Sequence, residues 1–219
     1  MSFLTDQYQN KDLDYFGMNK SRKKCILDLA GKLAAKKILD VGCGLGLLGK
    51  DLKKNGNYII GIDVSNKALD IARNELDEVM KVDLENNNWP DDLLKNRFDL
   101  IIAAEIFEHL LYPERLLEKL GKLLKVDGQL IITTPNFLVW SNRIKMLFGR
   151  FVYQSGGFWC RDHIHFFTLP ELKKMLQAGG WEIIAENHLN HPKIPSWLNK
   201  IFPALFAFQL IVKVKLKAK

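Results

Sequence analysis

Ile38-Leu39-Asp40-Val41-Gly42-Cys43-Gly44-Leu45-Gly46-Leu47-Leu48-Gly49 is the stretch on which the fold turns. An apolar, β-branched run ends on an acid, three alternating glycines follow, and a helical pattern then begins. Glycines there let the chain turn sharply and bring backbone N–H groups against a ligand at the next helix's N-terminus. Outward from this loop, apolar runs at 36–41, 58–63, 79–83, 98–104 and 129–134 read as strands. Helical patterns at 47–55, 66–76, 91–95 and 113–124 lie between them, and a helix at 20–30 closed by Gly31 precedes them. That alternation predicts a parallel sheet with helices on both faces. Near the chain end, Thr168-Leu169-Pro170-Glu171 is a capping box opening a helix that Gly179 and Gly180 stop. The runs at 181–185 and 206–216 follow without a full crossover helix between them, so a reversed strand is expected at this edge.

The chain has 219 residues, 47% hydrophobic and 26% charged, an ordinary globular mix that excludes disorder and leaves no room for two enzymes. One domain over 1–219 is expected, with residues 1–35 as an N-terminal cap segment and 136–167 as a lid or substrate insertion after strand five. The net charge of +7 is spread along the chain and reads as a lysine-rich surface. Cys25, Cys43 and Cys160 form no C-x-x-C pair, which favours a reducing, cytoplasmic setting over a disulfide framework. The N-terminus lacks a signal-peptide pattern, and the longest apolar stretch, 201–212, falls short of the ~20 residues of a membrane span. Neither secretion nor membrane insertion is expected.

Two cofactors compete for the glycine loop. Gly44-Leu45-Gly46-Leu47-Leu48-Gly49 satisfies the dinucleotide pattern, and Asp63 lies 19 residues beyond Gly44, where a ribose-binding acid belongs. An NAD-dependent oxidoreductase is therefore one reading. Charge argues against it, because Asp40 at the loop's mouth repels a pyrophosphate and suits a cation. S-adenosylmethionine carries an ammonium and a sulfonium, while its ribose hydroxyls still want an acid such as Asp63. Asp83, followed by Leu84, ends strand three where an adenine amino group and ring would sit.

The segments ILDVGCGLG, GIDVS, VDLEN and FDLIIAAEIFEHL together resemble the class I S-adenosylmethionine-dependent methyltransferases. The later RDHIHFFTLPELKKMLQAGGWE looks like the branch of ubiquinone-type O-methyltransferases and glycan-cluster methyltransferases. Covering roughly residues 15–189, the resemblance implies a Rossmann-like α/β fold, a seven-stranded sheet with its last strand antiparallel. It implies O-methylation of a small-molecule, glycan or lipid-linked acceptor, against the alternative of a catalytically inactive binding or scaffold protein. By the same resemblance Asp40, Gly42, Cys43, Gly44 and Gly46 hold the methionine part and Asp63 with Val64 the ribose. Asp83 and Leu84 hold the adenine, and Ala104 and Glu105 floor the sulfonium. Tyr8 and Tyr15 are alternative candidates from a segment that relatives often fold over the cofactor, with Tyr15 taken as the cofactor-binding one.

Methyl transfer to a hydroxyl needs alignment and loss of a proton, which makes His109, His163 and His165 candidate bases. In Asp162-His163-Ile164-His165 the two histidines alternate, so they should point to opposite sides if the segment is extended. Glu105, Glu108 and His109 at i, i+3, i+4 share one face if the chain turns helical after strand four. Two carboxylates and an imidazole suit Mg²⁺, Mn²⁺ or Zn²⁺. The pattern resembles the metal site of small-RNA 2′-O-methyltransferases and some quinone O-methyltransferases, which implies His163 as fourth ligand; the alternative is that Glu108-His109 caps the helix without an ion. The aromatic run from Phe137 to Trp159, interleaved with Arg143, Lys145, Arg150 and Arg161, has two readings. One is a small subdomain core. The other is a lid recognising an anionic or amphipathic acceptor, a lipid-linked sugar or quinone precursor, with peripheral membrane association. RNA is the weaker partner, since no nucleic-acid module is present.

Overall fold

The structure is a computed structural model that describes residues 8, 11, 18–153, 159–190 and 194–217. Strands β1 (Lys37–Val41), β2 (Tyr58–Asp63), β3 (Glu78–Lys81), β4 (Phe98–Ala104) and β5 (Leu124–Pro135) lie parallel, joined by the helices α2 (Leu47–Leu52), α3 (Asn66–Ala72), α4 (Asp91–Leu94) and α5 (Pro113–Leu123). Helix α1 (Lys20–Ala30) precedes them; Asn19 Oδ1 caps it by accepting from the Ser21 and Arg22 N–H groups, and Gly31 ends it. After β5 come α6 (Trp140–Leu147), α7 (Leu169–Ala178), β6 (Trp181–Glu186), β7 (Leu189–Asn190), α8 (Ser196–Ile201), α9 (Pro203–Phe206) and β8 (Ala207–Leu216).

The sheet order is β3-β2-β1-β4-β5-β8-β6, with β8 antiparallel to both β5 and β6. The reversed edge expected from the missing crossover is therefore present. The sheet has eight strands rather than seven, because β8 is ten residues long and β6 only six. The uncovered end of β8 recruits β7, whose Leu189 and Asn190 pair with Gln209 and Ala207 across a register shift. Strand β3 stops at Lys81, short of Asp83: the Val82 N–H donates to the Asp63 carbonyl at 2.9 Å, and Asp83 Oδ1 then accepts from the Glu85 N–H at 3.1 Å, turning the chain. Lys125-Val126-Asp127-Gly128 form a bulge within β5, between the pairs Phe98–Leu124 and Leu100–Gln129.

Alternation along the strands sends successive residues to opposite faces. Leu39, Ile60, Ile101 and Ile132 meet Leu116, Leu120, Leu172 and Trp181 on one side, while Ile38, Ile59, Ile102 and Ile131 meet Ile26, Leu48 and Leu69 on the other. Each such buried side chain contributes about 1.5–3 kcal/mol. The two layers clamp the sheet, and the parallel strands β1, β2 and β4 end together at one edge, where the loops carry the polar residues. No helix among the described residues is long and apolar enough to cross a membrane.

Candidate active site

The glycine loop after β1 adopts the conformation its sequence requires. Gly42, Gly44 and Gly46 have φ of 67°, 51° and 75°, the left-handed region that side chains disfavour. A Cβ on Gly42 would sit 2.2 Å from Ile106 Cδ1, so the loop packs directly on the turn after β4. The Gly42 and Cys43 N–H groups donate to the Ile62 carbonyl at 2.8 and 3.0 Å. Cys43 itself is buried, its sulfur packed where Gly61 leaves room, and its thiol pKa is pushed up by burial; it supports the loop from below.

Two acids stand at the loop. Asp40 is buried, and its Oδ2 has no hydrogen-bond partner among the described residues. Burial first and the Asp63 charge second raise its carboxyl to about 7, against the opposing Gly49 N–H. A buried acid in that state fits a cationic ligand. Asp63 accepts from the Gly44 N–H at 3.0 Å and the Ser65 N–H at 2.8 Å; burial raises its pKa while these backbone donors, with Val64, oppose the rise. Val64 and Asp83 are half-buried and Leu84 is buried just beyond the ends of β2 and β3. Ala104 ends β4, half-buried beside the turn.

Glu105 departs from the expected geometry. Its φ of 58° is left-handed, and Phe107–His109 then form a 3₁₀ turn, so no α-helical face brings Glu105, Glu108 and His109 together. The Glu105 carboxylate is instead held by Arg22 Nη1 at 3.0 Å, Thr133 Oγ1 at 2.7 Å and Gln209 Nε2 at 2.8 Å. It ties α1 to β5 and β8, away from the proposed ligand set. Arg22, Thr133 and Gln209 were not legible as partners, because nothing in their spacing links four separate elements.

Glu108, His109 and His163 do converge: one ligand atom from each lies within 4.8 Å of the others. Both Glu108 carboxylate oxygens are buried without a hydrogen-bond partner among the described residues, and burial, then the Glu105 charge, push its pKa well above the usual carboxylate range. His109 Nδ1 donates to the Asp162 carbonyl at 2.9 Å, which leaves Nε2 as the lone-pair nitrogen. Burial lowers its pKa to about 4, opposed by the Asp162 carbonyl and reinforced by His163. The His109 and His163 rings meet edge-on, centroids 4.8 Å apart. His165 Nε2 lies 3.3 Å from the Leu111 carbonyl; the segment is not an extended strand, and both histidines line the concavity beside the cluster. The Ile164 and His165 N–H groups both bond the Glu108 carbonyl, at 2.8 and 3.0 Å, which pins this segment to the turn after β4. A small surface concavity lies beside the cluster, lined by Glu108, Thr134, Phe137, His163, His165 and Phe166. An acid and two imidazoles are a donor set that fits a divalent cation. Tyr15 lies outside the described residues.

A class I S-adenosylmethionine-dependent methyltransferase is the class this sheet order and glycine loop define, with an acid at the end of each of the first two strands. The chain belongs to the methyltransferase domain family, whose model matches residues 16–186. Among curated relatives, the ubiquinone biosynthesis O-methyltransferase of Coxiella burnetii is 28% identical over 155 residues, 69% of this chain and 66% of the relative. That of Dechloromonas aromatica is 30% identical over 159 residues, 71% of this chain and 68% of the relative. The chain thus spans just under two thirds of the Coxiella relative's length. The fold is shared with the magnesium protoporphyrin IX methyltransferase of Synechocystis, solved with bound S-adenosylhomocysteine (16% identical, TM-score 0.68, covering 97% of this chain and 98% of that one). It is shared too with a TehB-like methyltransferase of Corynebacterium glutamicum (18%, TM-score 0.59, covering 97% and 95%). The cofactor of the class is S-adenosylmethionine, and the NAD reading falls with the family assignment.

Proposed function

We propose that the protein transfers the methyl group of S-adenosylmethionine to a hydroxyl oxygen of a quinone-type or lipid-linked acceptor. The observation that carries this is the buried, unpartnered Glu108 carboxylate beside His109 and His163, opening on a concavity walled by Phe137 and Phe166. Asp40 would face the cofactor's ammonium, Asp63 with Val64 its ribose, Asp83 and Leu84 its adenine, and the Ala104–Glu105 backbone its sulfonium. Cys43, buried beneath the loop, shapes it. The names of the ubiquinone biosynthesis relatives support the acceptor class.

Within the cluster the ligand role is favoured over the base role. A histidine held near 4 is a weak base at neutral pH, whereas its fixed Nε2 lone pair suits a metal. Burial and the Glu105 charge disfavour the ionised form of Glu108, and a cation beside it would favour that form. Glu108, His109 and His163 would hold a divalent ion, which would supply Lewis acidity toward an acceptor hydroxyl. The acceptor would approach beside the Phe137 and Phe166 rings, which lie against each other with centroids 4.6 Å apart; its hydroxyl would lose a proton toward solvent, and its oxygen would attack the methyl carbon in line as the carbon–sulfur bond breaks.

We read 1–35 as a cap and 136–167 as a lid. Leu147, Phe148 and Val152 are exposed beside the exposed Arg143, Lys145 and Arg150, a combination suited to an anionic membrane surface where such acceptors reside. The free cysteines fit a cytoplasmic location. The test is S-adenosylhomocysteine release by chelator-treated enzyme with catechol, glycan and RNA acceptors, with Mg²⁺, Mn²⁺ or Zn²⁺ restored. Turnover on catechols that needs added metal is expected. Full activity in excess chelator would remove the ion, and cofactor binding without turnover on any acceptor would mark a binding or scaffold protein.

A further inference from the structure

We infer that helix α8 and the Phe202 that follows it form a membrane-docking face, a second lipid contact outside the lid that goes beyond the association read above for α6. Within α8, Trp197 and Ile201 stand at i and i+4 and so share one side of the helix. They are 58% and 59% exposed, and Phe202 is 55% exposed. The rest of the helix is held. Asn199 is buried and its Nδ2 donates to the His188 carbonyl at 3.2 Å, Leu198 is half-buried, and the Phe202 N–H donates to the Leu198 carbonyl at 2.8 Å. Three large apolar side chains are therefore exposed on a segment that is fixed to the connection between β6 and β7. Apolar surface gathered in this way marks an interaction site.

Charge decides what covers it. From Asn187 to Lys219 the chain carries six lysines and neither Asp nor Glu. Lys200 lies within α8 and is exposed. A second copy seated on this face would bring up the same acid-free, basic segment, which is poor complementarity. An anionic lipid surface suits it: the lysine reaches the headgroups while the Trp, Ile and Phe side chains enter the apolar boundary beneath. Trp fits that boundary, since its ring is apolar and carries one N–H. The face also adjoins the candidate site. Pro135, which ends β5, pairs with Gln209 of β8, and Asn136 Nδ2 donates to the Ala204 and Ala207 carbonyls at 3.2 and 2.9 Å. The α8–α9 segment thus meets the sheet where the chain leaves β5 for α6, and Pro135 and Phe137 line the concavity beside Glu108. Lipid contact at α8 holds that end of the sheet at the bilayer surface.

The test uses the full chain with phosphatidylglycerol vesicles whose acyl chains are brominated, read by sedimentation and by quenching of tryptophan fluorescence. Trp197 is exposed, whereas Trp89, Trp159 and Trp181 are buried and Trp140 is half-buried. The wild type should be quenched on binding. Trp197→Phe keeps the apolar bulk, so it should sediment as the wild type does yet lose most of the quenching. Ile201→Glu with Phe202→Glu should lower vesicle association about tenfold or more. S-adenosylhomocysteine affinity within about twofold of wild type confirms that each variant is folded. Quenching that Trp197→Phe leaves intact, or association that Ile201→Glu with Phe202→Glu leaves unchanged, would overturn the inference while leaving α6 as the lipid contact. A wild type that binds no vesicles would overturn both contacts. A dimer in solution that Trp197→Glu converts to a monomer would give the face to a second copy and overturn the inference as well.

Discussion

The Asp63 carboxylate accepts from the Gly44 N–H at 3.0 Å, so the acid ending β2 holds the glycine loop that follows β1. Its other oxygen is committed to the Ser65 N–H at 2.8 Å. Asp63 therefore shapes the loop before any ribose arrives. Asp63→Asn keeps the side-chain volume but offers only one acceptor oxygen, and it turns charge-assisted bonds into weaker neutral ones. S-adenosylhomocysteine binding should weaken by about 1–3 kcal/mol. Titration calorimetry measures this directly; an unaltered affinity would show that the acid serves neither loop nor ribose.

Asp40 gives cofactor binding a pH dependence. Its carboxyl is raised from 3.8 to about 7 by burial and by Asp63. Over that window the folded chain keeps a proton that the unfolded chain has released, so this residue's contribution to stability is full below the unfolded value and is lost as pH rises through about 7. A cation docked beside Asp40 favours the ionised form. Binding of S-adenosylmethionine should therefore release a proton below about pH 7 and tighten as pH rises toward 8. Calorimetry in two buffers of different ionisation enthalpy counts that proton. Asp40→Asn should abolish the release; a release that persists in this variant would assign it to another group.

These two acids were legible in the sequence because each sits at a strand end in a local pattern, and local patterns survive folding. The reversed strand at the last edge was legible for the same reason, from a missing crossover, though not the insertion of β8 between β5 and β6. Glu105 was not. Its placement depends on a left-handed φ and on a pairing with Arg22, Thr133 and Gln209 from three other elements. Residue spacing assumes a regular helix, and a 3₁₀ turn breaks that assumption. His163 stands with Glu108 and His109 while His165 Nε2 lies 3.3 Å from the Leu111 carbonyl, and the bond from His109 to Asp162 joins segments whose proximity only the sheet creates.

Glu105 and Glu108 should accordingly part company under substitution. Glu108→Gln removes the ionisable oxygen from the cluster and should eliminate Mn²⁺ binding as read by the loss of the free-ion resonance. Glu105→Gln should leave Mn²⁺ binding intact. It leaves the half-buried Arg22 guanidinium without its countercharge, at a cost of about 1–3 kcal/mol of stability. Thermal unfolding of the two variants beside the Mn²⁺ titration separates the roles. Equal loss of Mn²⁺ in both would return Glu105 to the ligand set.

The exposed face of α6 and the residues after it give the last prediction. Leu147 is 81% exposed and Phe148 73%, large apolar side chains that make no use of their surface in the described structure. Exposed Arg143, Lys145 and Arg150 flank them. Burying two such side chains in a lipid interface is worth about 1.5–3 kcal/mol each, and the basic neighbours add attraction to anionic headgroups. The wild type should therefore sediment with phosphatidylglycerol vesicles and much less with phosphatidylcholine vesicles. The double substitution Leu147→Glu and Phe148→Glu should reduce that association by at least about tenfold. Because neither side chain is in the core, S-adenosylhomocysteine affinity and melting temperature should stay at wild-type values. Vesicle association that survives both substitutions would place the membrane contact elsewhere, and no association at all would leave α6 as the outer wall of a lid for a water-soluble acceptor.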